Sequence, residues 1–314
     1  MKKYIISLIF LLCAGAATSQ TATPMAQYAG NQMIFNPGFA GAHDLFSANL
    51  SLKTLWVGIP NSPKLISLNM HAPFVDQRNA LGFIFQRETF GPQTVNLINF
   101  TYAYKIHVSR ESFFSLGVQA GLLNSVTDWD MIEYVRDWDD PALGEGREQT
   151  NGFDMGVGLY FQARDFYMGL SVRHLTTPKF DEVRIEETGV TVHSKIRRQI
   201  FLIAGYNITL NPEFDLRPRM FMRYKYGMPL TVSTGVDFVY DNRFFVGASF
   251  TTGQSSVTLS AAAEIFEGLR IGYAFDMNFG VLRPFQRGSH EILISYFIPV
   301  WNRTNDVRIR RNWQ

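Results

Sequence analysis

The chain has 314 residues, of which 46% are hydrophobic, 14% aromatic and 18% charged, and its mean hydropathy is −0.04. A helical membrane protein needs spans of about 20 apolar residues, and these values exclude that class. The formal net charge is +2; once the leader described next is cleaved, the loss of Lys2 and Lys3 leaves 27 basic against 27 acidic residues. A neutral chain gives no electrostatic reason to expect nucleic acid or an acidic substrate.

Residues 1–19 read as a secretory signal peptide. Lys2 and Lys3 precede the apolar run Ile5–Cys13, and Ala17-Thr18-Ser19 is a small-x-small cleavage site, placing the mature start near Gln20. A lipoprotein leader with Cys13 as the lipidated residue is the rival, and the bulky Leu12 argues against it. Cys13 is the only cysteine, so cleavage leaves no disulfide, thiol nucleophile or cysteine-metal site.

Residues 20–43 form a polar, glycine- and proline-containing lead without periodicity, a candidate plug. Candidate strands follow at 44–56, 63–73, 79–88, 93–107, 112–124, 152–163, 165–175, 197–208, 214–225, 229–240, 243–252, 256–266, 268–279 and 290–300. The clearest is Leu269–Phe279. There Leu269, Ile271, Tyr273, Phe275, Met277 and Phe279 alternate with Arg270, Gly272, Ala274, Asp276 and Asn278. A strand sends alternate side chains to opposite faces, so this one has an apolar face and a charged one. The same alternation puts Asp154, Arg217, Arg219, Arg223, Asp237 and Glu264 on the less apolar faces of their strands.

Such a strand fits a soluble sandwich with an apolar core. It equally fits a membrane barrel with apolar residues toward lipid and a polar lumen. Connection lengths separate the two. The three long connections, 125–151, 176–196 and 280–289, all follow odd-numbered strands, whereas those after even-numbered strands are short. Outer-membrane barrels sort loops this way, with short periplasmic turns and longer extracellular loops. The expected fold is all-β: a transmembrane antiparallel β-barrel of about fourteen strands over residues 44–300, followed by a basic periplasmic tail over 301–314 that holds Arg303, Arg308, Arg310 and Arg311.

Candidate chemistry is sparse. His43, His71, His107, His174, His193 and His290 show no metal-ligand spacing, and no HExxH, GxSxG or phosphate-binding glycine loop is present. No cofactor, metal site or enzymatic activity is expected. Ser125–Gly146 is acidic (Asp128, Asp130, Glu133, Asp137, Asp139, Asp140, Glu145) and interleaved with Trp129, Tyr134 and Trp138, but it lacks the D-x-D-x-D-G calcium pattern. The lumen charges can line a pore or fill the barrel as an ion-pair network; small barrels hold side chains.

Several short motifs recur in order. They are Asn36-Pro37-Gly38-Phe39-Ala40-Gly41, then Trp56-Val57-Gly58-Ile59 with Pro63-Lys64, then His71-Ala72-Pro73, Leu81-Gly82, Gly91-Pro92 and Tyr102-Ala103-Tyr104. In residues 27–107 the chain thereby resembles the PorP/SprF family of type IX secretion system outer-membrane proteins. It departs from the family at Pro60-Asn61-Ser62, where Asp, Gly or Ala is more usual. The resemblance implies a non-enzymatic protein of the outer membrane. It implies association with the type IX machinery, including a periplasmic ring lipoprotein, and with secreted cargo or a gliding adhesin. Asn36, Pro37, Phe39, Gly41, Trp56, Gly58, Pro63, His71 and Pro73 become candidate partner contacts, with both termini periplasmic. The alternative is an outer-membrane porin or solute channel.

Overall fold

A computed structural model describes residues 25–131, 146–177, 179–185, 190–253 and 255–300. The expected signal peptide, residues 20–24, the middle of the acidic loop (132–145) and the basic tail lie outside the described residues. The described residues form seventeen strands. They are β1 (Leu45–Thr54), β2 (Lys64–Pro73), β3 (Asn79–Phe90), β4 (Gln93–His107), β5 (Phe113–Asp128), β6 (Arg147–Gln162) and β7 (Phe166–Arg173). Then come β8 (Lys179–Ile185), β9 (Val190–Lys195), β10 (Gln199–Tyr206), β11 (Ile208–Thr209) and β12 (Phe214–Lys225). The last are β13 (Thr231–Tyr240), β14 (Phe244–Thr251), β15 (Ser256–Phe266), β16 (Leu269–Asn278) and β17 (Ser289–Pro299).

β1–β7, β10 and β12–β17 make fourteen antiparallel wall strands. Each pairs with its sequence neighbour, and β1–β17 closes the barrel. Closure leaves no unpaired edge for lipid to meet. β11 is a two-residue extension beside β12, and β8–β9 is a separate hairpin within the connection from β7 to β10. That hairpin and the extended β5–β6 arms are what the sequence pattern missed. Both lie beyond the apolar band, where alternation has no membrane to report.

The barrel has two unlike ends. The strand starts and finishes Leu45, Pro73, Asn79, His107 and Pro299 share one, the turn end, whose connections are short. At 267–268 the turn is two residues long: Gly268 takes φ +85°, and its amide donates to Glu264 Oε1 at 3.1 Å. All three long connections lie at the other, the loop end.

Alternation is inverted relative to a soluble protein. Outward side chains are apolar and exposed: Phe100 is 66% exposed, Leu122 65% and Phe153 52%. Inward ones are polar and buried: Ser51, Asn69, Asn99 and Asp154 are all at 0%. On β4, β5 and β6 five successive outward residues are apolar, from Ile106, Phe114 and Phe161 to Ile98, Leu122 and Phe153. Eight strand steps at the usual tilt make roughly 20 Å along the barrel axis, close to the apolar band of an outer-membrane barrel. No helix among the described residues is long and apolar enough to cross a membrane.

Candidate functional site: the lumen segment and its two seats

Residues 25–44 lie inside the barrel. Three single 3₁₀ turns (Tyr28–Gly30, Gln32–Ile34 and Pro37–Phe39) carry the chain across the lumen, and nearly every side chain is buried. A chain inside a barrel must satisfy its backbone against wall side chains, and it does so at two places.

The first seat is at the turn end. The Asn36 side chain accepts from the Gly38 amide at 2.8 Å, capping the turn that Pro37 begins, and its own amide donates to the Leu159 carbonyl at 2.8 Å. This turn lies flat on the wall. A Cβ on Gly117 would overlap the backbone of Pro37 and Gly38, and one on Gly158 or Gly169 would overlap the Asn36 side chain. Three glycines on β5, β6 and β7 thus leave the space that the Asn-Pro-Gly turn fills. Phe39 packs edge-on against Tyr160 (5.3 Å between centroids), His71 (5.6 Å) and His43 (5.0 Å).

Gly41 takes φ +71°, which favours glycine, and a Cβ there would overlap Ala80. Its amide donates to His71 Nδ1 at 3.1 Å, and its carbonyl accepts from Lys105 Nζ at 2.7 Å. Lys105 also pairs with Asp44. Burial holds His43 neutral, with its pKa pushed down to about 3, and the neighbouring His71, Lys105 and Arg270 act in the same direction.

The second seat is near the loop end. Glu291 accepts from the Ala26 amide at 2.6 Å and the Gln27 amide at 3.2 Å. Lys53 Nζ lies 2.9 Å from Asp276 and 3.5 Å from Glu291, and Thr258 donates to Asp276 at 2.5 Å. Lys53, Asp276 and Glu291 are all at most 2% exposed. A buried cation between two carboxylates is tolerable because the segment's amides and a hydroxyl supply further donors.

Between the seats the wall grips the segment's carbonyls. Ser171 donates to Phe35 O at 2.6 Å and Arg173 to Ile34 O at 2.8 Å. Arg219 sits over the Tyr28 ring at 4.9 Å, and Phe35 meets Phe221 at 5.0 Å. Asn69 donates to Asn31.

All eight charges expected in the lumen have the inward parity of their strands. Arg219 pairs with Asp237 at 2.7 Å, Arg217 with Asp215 at 3.3 Å, and Asp154 with His174 at 2.8 Å. Arg270 lies 3.9 Å over Phe245, Asp276 belongs to the second seat, and Glu264 caps its turn. Arg223 lines a cavity of about 230 Å³ at the loop end with Glu88, Lys225 and Met25.

The family-like residues divide. Asn36, Pro37, Phe39, Gly41, His71 and Pro73 come together at the first seat, where Pro73 approaches Gly41. Trp56, Gly58 and Pro63 do not. They shape the loop-end connection 55–63, where Trp56 and Gly58 take φ +48° and +105° and the Trp56 amide donates to Ser289 Oγ at 3.1 Å. Lys53, Lys105, Glu291, Gly117 and Gly169 escaped the sequence reading, although alternation gives all of them, like Gly158, lumen parity. Of the acidic loop, the described ends hold an Asp128–Arg147 pair at 3.5 Å and a Trp129–Glu148 hydrogen bond at 3.1 Å. Among the described residues no three His, Cys, Asp or Glu are grouped to hold a metal ion.

An inverted, closed, fourteen-strand barrel with a filled lumen defines a transmembrane protein of the outer-membrane β-barrel class. Residues 17–296 match the family described as "Type IX secretion system membrane protein PorP/SprF", and the chain belongs to that family. No curated protein is significantly similar in sequence. Among solved structures, a deltaS2 mutant of the TodX monoaromatic hydrocarbon channel is similar at a TM-score of 0.51 and 10% identity, covering 86% of this chain and 94% of that one. The toluene transporter TbuX of Ralstonia pickettii is similar at a TM-score of 0.49 and 13% identity, covering 85% and 92%. At such identities only the barrel fold is shared.

Proposed function

We propose that this protein supports export or surface anchoring of cargo by the type IX machinery, as a receiver in the outer membrane and not as an open pore. The observation that carries this reading is the segment 25–44, seated at two places in the lumen. In the proposed orientation the loop end faces the cell exterior and the turn end, with Leu45 and Pro299, faces the periplasm. The turn end then meets the machinery, including a periplasmic ring lipoprotein. The loop end meets secreted cargo or an adhesin. Chemistry plays no part in this role, and no cofactor is needed.

Deletion of Gln27–Gly41 tests the reading, with cargo display and uptake of a small antibiotic measured on the same cells. The barrel should insert, cargo display should fall, and uptake should rise. Normal display after the deletion removes the segment from the mechanism. The second reading is a solute channel, and the similarity to a hydrocarbon channel raises it only at the level of fold. High single-channel conductance by the intact purified protein would favour it.

A further inference from the structure

The outer wall carries a polar row on one side of the barrel. On β4, β5 and β6 the apolar outward column stops toward the loop end at Asn96, Asn124 and Asn151, which are aligned in register. They form a ladder: Asn96 Nδ2 donates to Asn124 Oδ1 at 3.2 Å, and Asn124 Nδ2 to Asn151 Oδ1 at 2.8 Å. β3 places Arg87 directly opposite Asn96, and β2 ends its outward column at Lys64, one outward position beyond Ile66, which opposes Arg87. Arg87 and Lys64 are both exposed, and among the described residues neither has a carboxylate partner. Among the described residues the one acid of outward parity on these strands at this end, Asp128, is two rows further out and paired with Arg147.

Elsewhere the described loop-end rim is mostly apolar or aromatic, with Tyr224, Leu230, Phe250 and Phe279 exposed; the exposed Arg198, one outward position beyond Ile200, donates to the Leu175 carbonyl at 3.2 Å. A single interfacial cation needs no explanation, because Lys and Arg snorkel from apolar surfaces. Two neighbouring cations without a described carboxylate partner, continued by a hydrogen-bonded amide row, form a strip of donors. Beneath it the apolar wall of Ile66, Phe85, Ile98 and Leu122 lies at acyl-chain depth.

We propose that this face of β2–β6 is a binding site for a phosphorylated membrane lipid. The phosphate sits on Lys64 and Arg87, the sugar or glycerol hydroxyls on the asparagine ladder, and the acyl chains on the apolar columns below. Guanidinium and ammonium groups are strong phosphate partners. Lys64 and Arg87, with no carboxylate partner among the described residues, favour anionic over zwitterionic headgroups. The proposal rests on the orientation above only in naming the leaflet: the loop end places the site in the outer one.

The test is native mass spectrometry of the purified full-length barrel titrated with lipid A and, separately, with its dephosphorylated form. The double variant Lys64→Gln/Arg87→Gln should lower lipid A occupancy at least about fivefold. Dephosphorylated lipid A should bind the native protein as weakly as lipid A binds the variant. The turn-end control Arg110→Gln/Arg164→Gln should bind lipid A as the native protein does. Equal occupancy in the double variant, or an equal loss in the control, overturns the site. If the double variant does not assemble, Arg87→Gln alone carries the test, with a smaller fall of the same sign.

Orientation is read separately, by labelling Asn61→Cys on intact cells with a membrane-impermeant maleimide. Labelling with unchanged lipid occupancy sinks the lipid site and leaves the orientation standing. Loss of lipid A binding without labelling keeps the site and reverses the leaflet.

Discussion

The two seats of the lumen segment hold it by different physics. At the turn end the fit is one of shape: Asn36–Gly41 lies against Gly117, Gly158 and Gly169, with backbone approaching backbone. Near the loop end it is one of charge: two amides point at a carboxylate that shares a buried lysine with a second carboxylate. Shape tolerates no added atom, whereas charge tolerates a change of partner provided something still accepts from the amides. The first seat should therefore fail abruptly and the second by degrees.

The largest effect should come from Gly117→Val. The new side chain must occupy the space of Pro37 and Gly38, and overpacking costs about 1–3 kcal/mol or more where backbone has to move. The expected outcome is a barrel that still assembles but releases the turn, read as raised conductance and as trypsin cleavage within residues 27–44. A protected segment in Gly117→Val would show that the three glycines do not define the seat.

Glu291→Gln should act more weakly, at about 1–3 kcal/mol. The amide oxygen still accepts from Ala26 or Gln27, and Lys53 keeps Asp276. Removing both carboxylates with Glu291→Gln/Asp276→Asn should cost more than the two single changes together, because the buried Lys53 then has no counter-charge. Additive costs in thermal melts would mean the three groups do not act as one cluster.

The smallest effect expected is one of pH at the first seat. His43 has its pKa pushed down to about 3, so a free chain binds a proton there, below about 6.5, that the seated chain refuses. The stability from a neutral His43 is whole above that range and is lost as pH falls. Between pH 7.5 and 6 the loss should be roughly 1 kcal/mol or less. In His43→Gln that contribution to the drop in melting temperature should vanish; an identical drop would assign the pH dependence to other groups.

The wall was legible in the sequence because lipid and lumen demand opposite residues at alternate positions. Leu269–Phe279 shows this without help from any other strand, and loop-length parity then distinguishes the barrel from a sandwich. The first seat was half legible. Asn36–Gly41 stood out as a motif, but its partners Gly117, Gly158 and Gly169 sit in three strands where an isolated glycine looks like any other small lumen residue. The second seat was not legible. Lys53 and Glu291 are more than 230 positions apart in sequence, and nothing local tells that barrel closure sets them face to face. Asp276 could be placed in the lumen by parity, but its lysine could not be named.

That pairing has a consequence for biogenesis. Lys53 is opposite Glu291 in the ladder between β1 and β17, the seam at which the wall closes on itself. The groups that grip Ala26 and Gln27 therefore exist as a set only after the seam is zipped, and only in the correct register. A slip of two residues would keep every side chain on its proper face but separate the lysine from the carboxylate, and it would leave the segment's amides unanswered. Closing the wall and fixing its contents are thus a single proofreading step, in which the interior reports on whether the seam has been joined correctly.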